Sequence, residues 1–203
     1  MSQTTDKTIL IVGLGNPAPE YQKTPHNAGF WVVEEFISNS QRIFESAKKV
    51  HSKVAKIKTS EKEIIVIKPQ TYMNNSGLAV REAQNFWKIR TADIIVVHDD
   101  SDILLGKLKI SANQSSGGHK GVESIIKSLG STNFTRIKIG VRPISKAKSE
   151  LQGHIKAEKF ILKSFPPKII ETVSKKGTEV LEVLIHEGFE QSMNMFNNSS
   201  FTL

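Results

Sequence analysis

A histidine beside Asn27, an aspartate after an apolar run at His98-Asp99-Asp100, and scattered amide side chains form a set able to activate water. In such chemistry an imidazole takes the proton, a carboxylate orients the imidazole and stabilises its cation, and amide donors position the substrate. An ester is the easier target for this set, because an alkoxide leaves more readily than an amine anion. Each residue taken alone is also compatible with a structural role, such as acidic groups ending a strand.

Other chemistries fit the chain less well. The run Gly13-Leu14-Gly15-Asn16-Pro17-Ala18 matches the outline of a dinucleotide fingerprint, which must open a helix on a pyrophosphate. Pro17 and Pro19 push Asn16 and Ala18 away from helical geometry, so the motif fails on mechanism. His98-Asp99-Asp100 with Asp102 has the look of a metal or calcium loop, but Ile-Leu-Leu follows Asp102 where a calcium loop needs a glycine and a distal glutamate. The remaining histidines are scattered singly, so no metal is expected. No G-x-S-x-G elbow is present to activate a serine, and Ser115-Ser116 lies in a glycine-rich loop. The chain has no cysteine, which excludes disulfides, thiolate metal ligands and a thiol nucleophile.

These residues need elements to place them. Ile9 to Val12 reads as a buried strand that runs into a loop ending near Asn27, and Phe30, Val33, Phe36 and Ile37 recur at helical spacing after it. Lys53 to Lys58 and Glu63 to Lys68, split by the polar turn at residues 59–62, predict an antiparallel hairpin. A helix follows Ser76-Gly77, and Ile94 to Val97 is a second buried strand ending at His98-Asp99-Asp100. Strands at Leu108 to Ala112 and Phe134 to Val141 flank the glycine-rich loop and a helix near Val122 to Leu129. Ile169, Ile170, Val173, Gly177, Val180, Leu181 and Leu184 form the apolar face of a C-terminal helix. The alternation predicts a single α/β domain over residues 1–203, a three-layer α/β/α sandwich on a mixed, mostly parallel twisted sheet. Fraying is expected over about 1–7 and 197–203.

The formal charge of +8 is unevenly spread: Lys107 to Lys176 holds fifteen Lys/Arg against four acidic residues, and no Lys or Arg follows Lys176. Such a stretch attracts a polyanion by counterion release, although a solvated lysine-rich surface has the same composition. The apolar runs are too short to cross a bilayer, and the first residues, MSQTTDKT, lack the apolar core of a secretory signal. A cytoplasmic protein with no membrane partner is expected.

Six blocks occur in order: GLGNPAPEY, TPHNAGF, KPQTYMNNSG, HDDSDILLGKLKI, SSGGHKGVESII and RIKIGVRP. In order and approximate spacing they resemble the bacterial peptidyl-tRNA hydrolases, over about residues 8–165, with the C-terminal helices similar in pattern only. The resemblance implies an ester hydrolase that needs no metal or cofactor and recycles tRNA as a monomer. Its partner would be peptidyl-tRNA, engaged through the acceptor arm and the peptide end. It further implies His26 as general base and Asp99 as the group that keeps it basic. Asn16 and Asn74 would contact the peptidyl part, Tyr21 and Tyr72 would line the substrate site, and Lys109 and Lys138 would meet the acceptor arm. Three positions depart from the family pattern. Lys120 stands where an asparagine usually helps orient the water, Pro25 where a basic residue commonly precedes the histidine, and Ala18 where glycine is frequent. Some relatives keep the fold as RNA-binding factors, so a binding protein without turnover is the alternative.

Overall fold

The computed structural model describes residues 7–60, 62–143 and 163–202. The first six residues, expected to fray, lie outside that range, as do Lys146, Lys148, Lys156 and Lys159 of the basic stretch.

The apolar runs form the middle of one sheet. β1 (Lys7–Gly13), β4 (Lys62–Pro69), β5 (Ile94–Leu104) and β7 (Thr135–Arg142) are parallel neighbours in the order β4-β1-β5-β7. Strands covered on both faces read as unbroken Ile/Leu/Val runs because neither face meets water. Antiparallel strands complete the sheet at both sides. β3 (Ser52–Lys58) and β2 (Glu45–Ala47) extend it beyond β4, and β6 (Leu108–Ala112) closes the other edge beside β7. The expected mixed sheet and hairpin are both present.

Side chains alternate between two cores. Ile9, Ile11 and Val97 face α1 (Ala28–Asn39) and α4 (Pro167–Glu187), whereas Leu10, Val12 and Val96 face α2 (Ser76–Trp87) and α3 (Lys120–Leu129). The Thr178 hydroxyl donates to the Val32 carbonyl at 3.1 Å and ties α4 to α1. Beyond Gly188 the chain turns into α5 (Phe189–Phe196), which packs on β6 and α4.

Two local outcomes differ from the sequence pattern. The strand carrying His98-Asp99-Asp100 does not end there, because those residues stay in register with Lys138, Ile139 and Gly140 of β7 before the pairing shifts ahead of Leu104. The polar tail is tied down as well. Asn197 Oδ1 accepts from the Ile110 amide at 2.6 Å and its Nδ2 donates to the Ile110 carbonyl at 3.0 Å. One asparagine thus occupies backbone groups that edge strand β6 would otherwise leave open.

Candidate active site

β1 ends at Gly13, opposite Val97 of β5, and both the loop beyond β1 and the continuing β5 run into the site. Open α/β sheets place their crevices at such strand ends. From β1 comes the loop with Asn16, from β5 comes Asp99, and a 3-10 turn at Pro25–Asn27 delivers His26 just before α1. Pro25 is the first residue of that turn and is buried, so the departure before the histidine supplies a fixed φ where the turn begins. The close fit of α1 needs Gly29, since a Cβ there would sit 2.2 Å from the Val97 carbonyl oxygen and 2.4 Å from the Leu14 nitrogen.

Asn27 locks this corner. Its Oδ1 accepts from the Asn16 amide at 2.8 Å and its Nδ2 donates to the Asn16 carbonyl at 3.0 Å, imitating a strand pairing inside the protein. Asn16 in turn accepts the Met73 amide on Oδ1 at 2.9 Å. With that oxygen engaged, the Asn16 NH2 is left as a donor without a partner among the described residues. The Met73 contact also anchors the 3-10 turn at Met73–Asn75 that leads into α2 and carries Asn74 beside Tyr72.

His26 meets Asp99 closely. Its Nδ1 lies 2.9 Å from Asp99 Oδ1 and 3.0 Å from Oδ2. An ionised carboxylate only accepts, so Nδ1 carries the hydrogen and Nε2 holds the lone pair. Burial alone would lower the His26 pKa, but the charge of Asp99 and its hydrogen bond outweigh burial, and the opposing Lys120 cation is a smaller influence; the balance lies above the ordinary value of 6.5. Asp99 is buried, which favours its neutral form, yet the imidazoles of His119 and His26 more than offset that and hold it ionised.

A second histidine completes the group. His119 caps α3: its Nδ1 accepts the Val122 amide at 3.2 Å, and its Nε2 lies 3.0 Å from Asp99 Oδ1. Beneath it is His98, fully buried, with ring centroids 4.7 Å apart; burial keeps His98 well below the usual imidazole pKa, so it is neutral. Its Nδ1 donates to the Asp99 carbonyl at 2.6 Å and steadies the backbone that bears the carboxylate. Arg136, buried on β7, donates to the Ser115 carbonyl at 2.9 Å and holds the loop that ends in the Gly117-Gly118 turn, both glycines with positive φ.

Asn16, Tyr21, His26, Tyr72, Asn74, Asp99 and Lys120 all line one cleft of about 1320 Å³, which continues between α2 and α3 past Arg81, Glu123 and Lys127. Lys109 and Lys138 do not line it. They face each other across β6 and β7, Lys109 exposed and Lys138 ion-paired at 2.9 Å with Asp100, which does reach the cleft. Lys120 is exposed at the start of α3 and makes no ion pair with Asp99 among the described residues.

Among the described residues, ligand atoms of His26, Asp99 and His119 lie within 4.8 Å of one another, the only such grouping large enough for a metal. Its chemistry suits hydrogen bonding better. With His119 Nδ1 accepting from Val122, the neutral ring carries its hydrogen on Nε2, the atom a metal would need bare. Asn27 and His119 were not singled out from the sequence as site residues. The signal was their place in the TPHNAGF and SSGGHKGVESII blocks, adjoining His26 and Lys120.

Known proteins are similar to the chain in sequence and in fold. A family model described as peptidyl-tRNA hydrolase matches residues 10–202. A peptidyl-tRNA hydrolase of Thermodesulfovibrio yellowstonii is 41% identical, covering 93% of this chain and 98% of that protein. One from Aquifex aeolicus is 42% identical over 93% and 95% of the two chains. A crystal structure of peptidyl-tRNA hydrolase from Acinetobacter baumannii superposes with a TM-score of 0.80 at 28% identity, covering 95% of this chain and 96% of that one. With near-complete coverage in sequence and in fold, the chain belongs to the peptidyl-tRNA hydrolase family.

Proposed function

We propose that this hydrolase cleaves the ester between a peptide, or an N-blocked amino acid, and the 3′ ribose of tRNA, with His26 as general base and Asp99 as its orienting partner. The observation that carries the reading is the buried Asp99 carboxylate gripping His26 Nδ1 through both oxygens, on a ring that lines the cleft. Nε2 takes a proton from water, the hydroxide attacks the ester carbonyl, and the tetrahedral intermediate expels the ribose oxygen. The same Nε2–H returns the proton to that oxygen. Asp99 holds the ring and offsets the imidazolium charge, and no metal enters the scheme.

The free NH2 of Asn16 and the side chain of Asn74 stand on the cleft wall as amide donors for the peptidyl carbonyls. A blocked substrate offers carbonyl acceptors there. An unblocked aminoacyl ester offers a cationic amine, which an NH2 donor does not favour. Tyr21 and Tyr72 flank the entry, with Tyr72 60% exposed. Lys120, Lys109 and Lys138 supply positive charge toward the acceptor arm, Lys138 with part of its charge taken up by Asp100. A monomer is the proposed form, as the family resemblance implies. A cytoplasmic location fits this substrate, and no described helix is long and apolar enough to cross a membrane.

The test is hydrolysis of N-acetyl-aminoacyl-tRNA by pure protein with chelator present. Turnover is expected, with the unblocked counterpart much slower. His26→Ala should lose on the order of a hundred- to ten-thousand-fold while still binding tRNA. Dependence on an added divalent ion would contradict the metal-free scheme. Tight binding without turnover by the wild type would instead indicate an RNA-binding protein.

A further inference from the structure

The Asp99 carboxylate serves two imidazoles. Oδ1 is 2.9 Å from His26 Nδ1 and 3.0 Å from His119 Nε2, and the two ring centroids are 5.1 Å apart. His119 has little freedom to turn away, because its Nδ1 is committed to the Val122 amide at the first turn of α3 and its ring packs in a T-shaped contact with buried His98. The two nitrogens of one ring therefore connect the carboxylate that backs the base to the helix that forms a wall of the cleft. We propose that His119 is a positioning residue for hydrolysis: by donating to Asp99 it fixes the carboxylate plane and withdraws part of the negative charge from His26, and so sets the pH at which His26 works as a base. The proposal rests on the His26/Asp99 reading.

The charge balance supports a tuning role. Around the pair stand Asp99 and Asp100 from β5, Lys120 and Glu123 from α3, Arg81 from α2 across the cleft, and neutral His98 with Arg136 on the sheet beneath. Of these, Asp99 favours the His26 cation and Lys120 opposes it. A carboxylate that accepts a second hydrogen bond is a weaker partner for the first donor, because the same charge is shared. A base that its aspartate held too strongly would remain protonated at neutral pH and be lost to catalysis. Donation by His119 limits that hold without removing the charge.

Two replacements separate the two bonds. The side-chain carbonyl of Asn reaches about as far as Nδ1, so His119→Asn keeps a cap for α3 and loses the donor to Asp99. The amide of Gln reaches about as far as Nε2, so His119→Gln keeps the donor and weakens the cap. The readout is the pH profile of kcat/KM on N-acetyl-aminoacyl-tRNA, joined to the titration of the His26 ring by NMR. His119→Asn is expected to raise both midpoints by about half a unit or more, and His119→Gln to leave them within roughly 0.2 unit of wild type. Three outcomes overturn the proposal: a slower His119→Asn with unmoved midpoints, midpoints that move down, or equal shifts in both variants. An NMR midpoint for His26 that does not match the wild-type kinetic midpoint would instead count against His26 as the base. The two failures are thereby distinguishable.

Discussion

Lys120, at a position where the resemblance implies an asparagine, is the first residue of α3 and lies within electrostatic reach of His26. Its charge opposes protonation of the imidazole, and its exposed stem leaves the ammonium free to meet a phosphate near the tRNA 3′ end. Both roles predict an outcome for Lys120→Asn. Turnover at saturation, measured above the pH midpoint, should hold while KM rises, the more so at low salt. The midpoint of kcat/KM should move up, and only slightly, because the cation is exposed and screened. Steady-state kinetics at two salt concentrations check this, and a several-fold change in saturated rate with unchanged salt response would place Lys120 in the chemistry. At this scale the sequence was informative about which residues meet, since His26, Asp99, Asn16 and Asn74 could be named from their blocks. The bond between His119 and Asp99 was not legible, because it joins β5 to the start of α3 and only the packed sheet brings the two rings onto one carboxylate.

At the scale of elements, Asn27 joins the turn that bears His26 to the loop that bears Asn16. Asn27→Ala would leave the Asn16 N–H and C=O unpaired in a buried corner, at a cost of roughly 2–5 kcal/mol. Urea unfolding should show that loss, with kcat/KM falling more than tenfold as Asn16 drifts. Full activity with an unchanged unfolding midpoint would mean that the clamp positions nothing. Gly29→Ala tests the same corner from the helix side. Its methyl would strike the Val97 carbonyl and push α1 outward, so activity should fall together with stability, read by thermal unfolding and kinetics. Apolar periodicity revealed the central strands and α1, α2 and α4, whose burial dictates their pattern. It concealed β2, three residues of exposed or half-exposed Glu45-Ser46-Ala47 held only by pairing with β3. It also ended β5 too early, because polar side chains at strand ends leave no apolar signature while the backbone goes on pairing with β7.

Over the whole molecule, the surplus of +8 supplies attraction that is not specific to any base. Lys109 is exposed, whereas its cross-strand neighbour Lys138 is partly neutralised by Asp100. Lys109→Ala should therefore flatten the log-log salt dependence of tRNA binding more than Lys138→Ala, by up to about one for each phosphate that the variant no longer neutralises. Equal slopes in both variants would remove the distinction. The proposed chemistry depends on a contact across layers, from a turn at the α1 side to an aspartate of the sheet, and one experiment probes that contact directly. Because Asp99 raises the His26 pKa and only the unprotonated ring accepts a proton, kcat/KM of the wild type should climb with pH through a midpoint above 6.5, chelator present throughout. Asp99→Asn removes the charge and leaves burial, which lowers the His26 pKa, so the variant should show a reduced plateau and a midpoint shifted to lower pH. A wild-type profile flat across that range, or an Asp99→Asn variant with the wild-type plateau and midpoint, would contradict His26 and Asp99 as the catalytic pair.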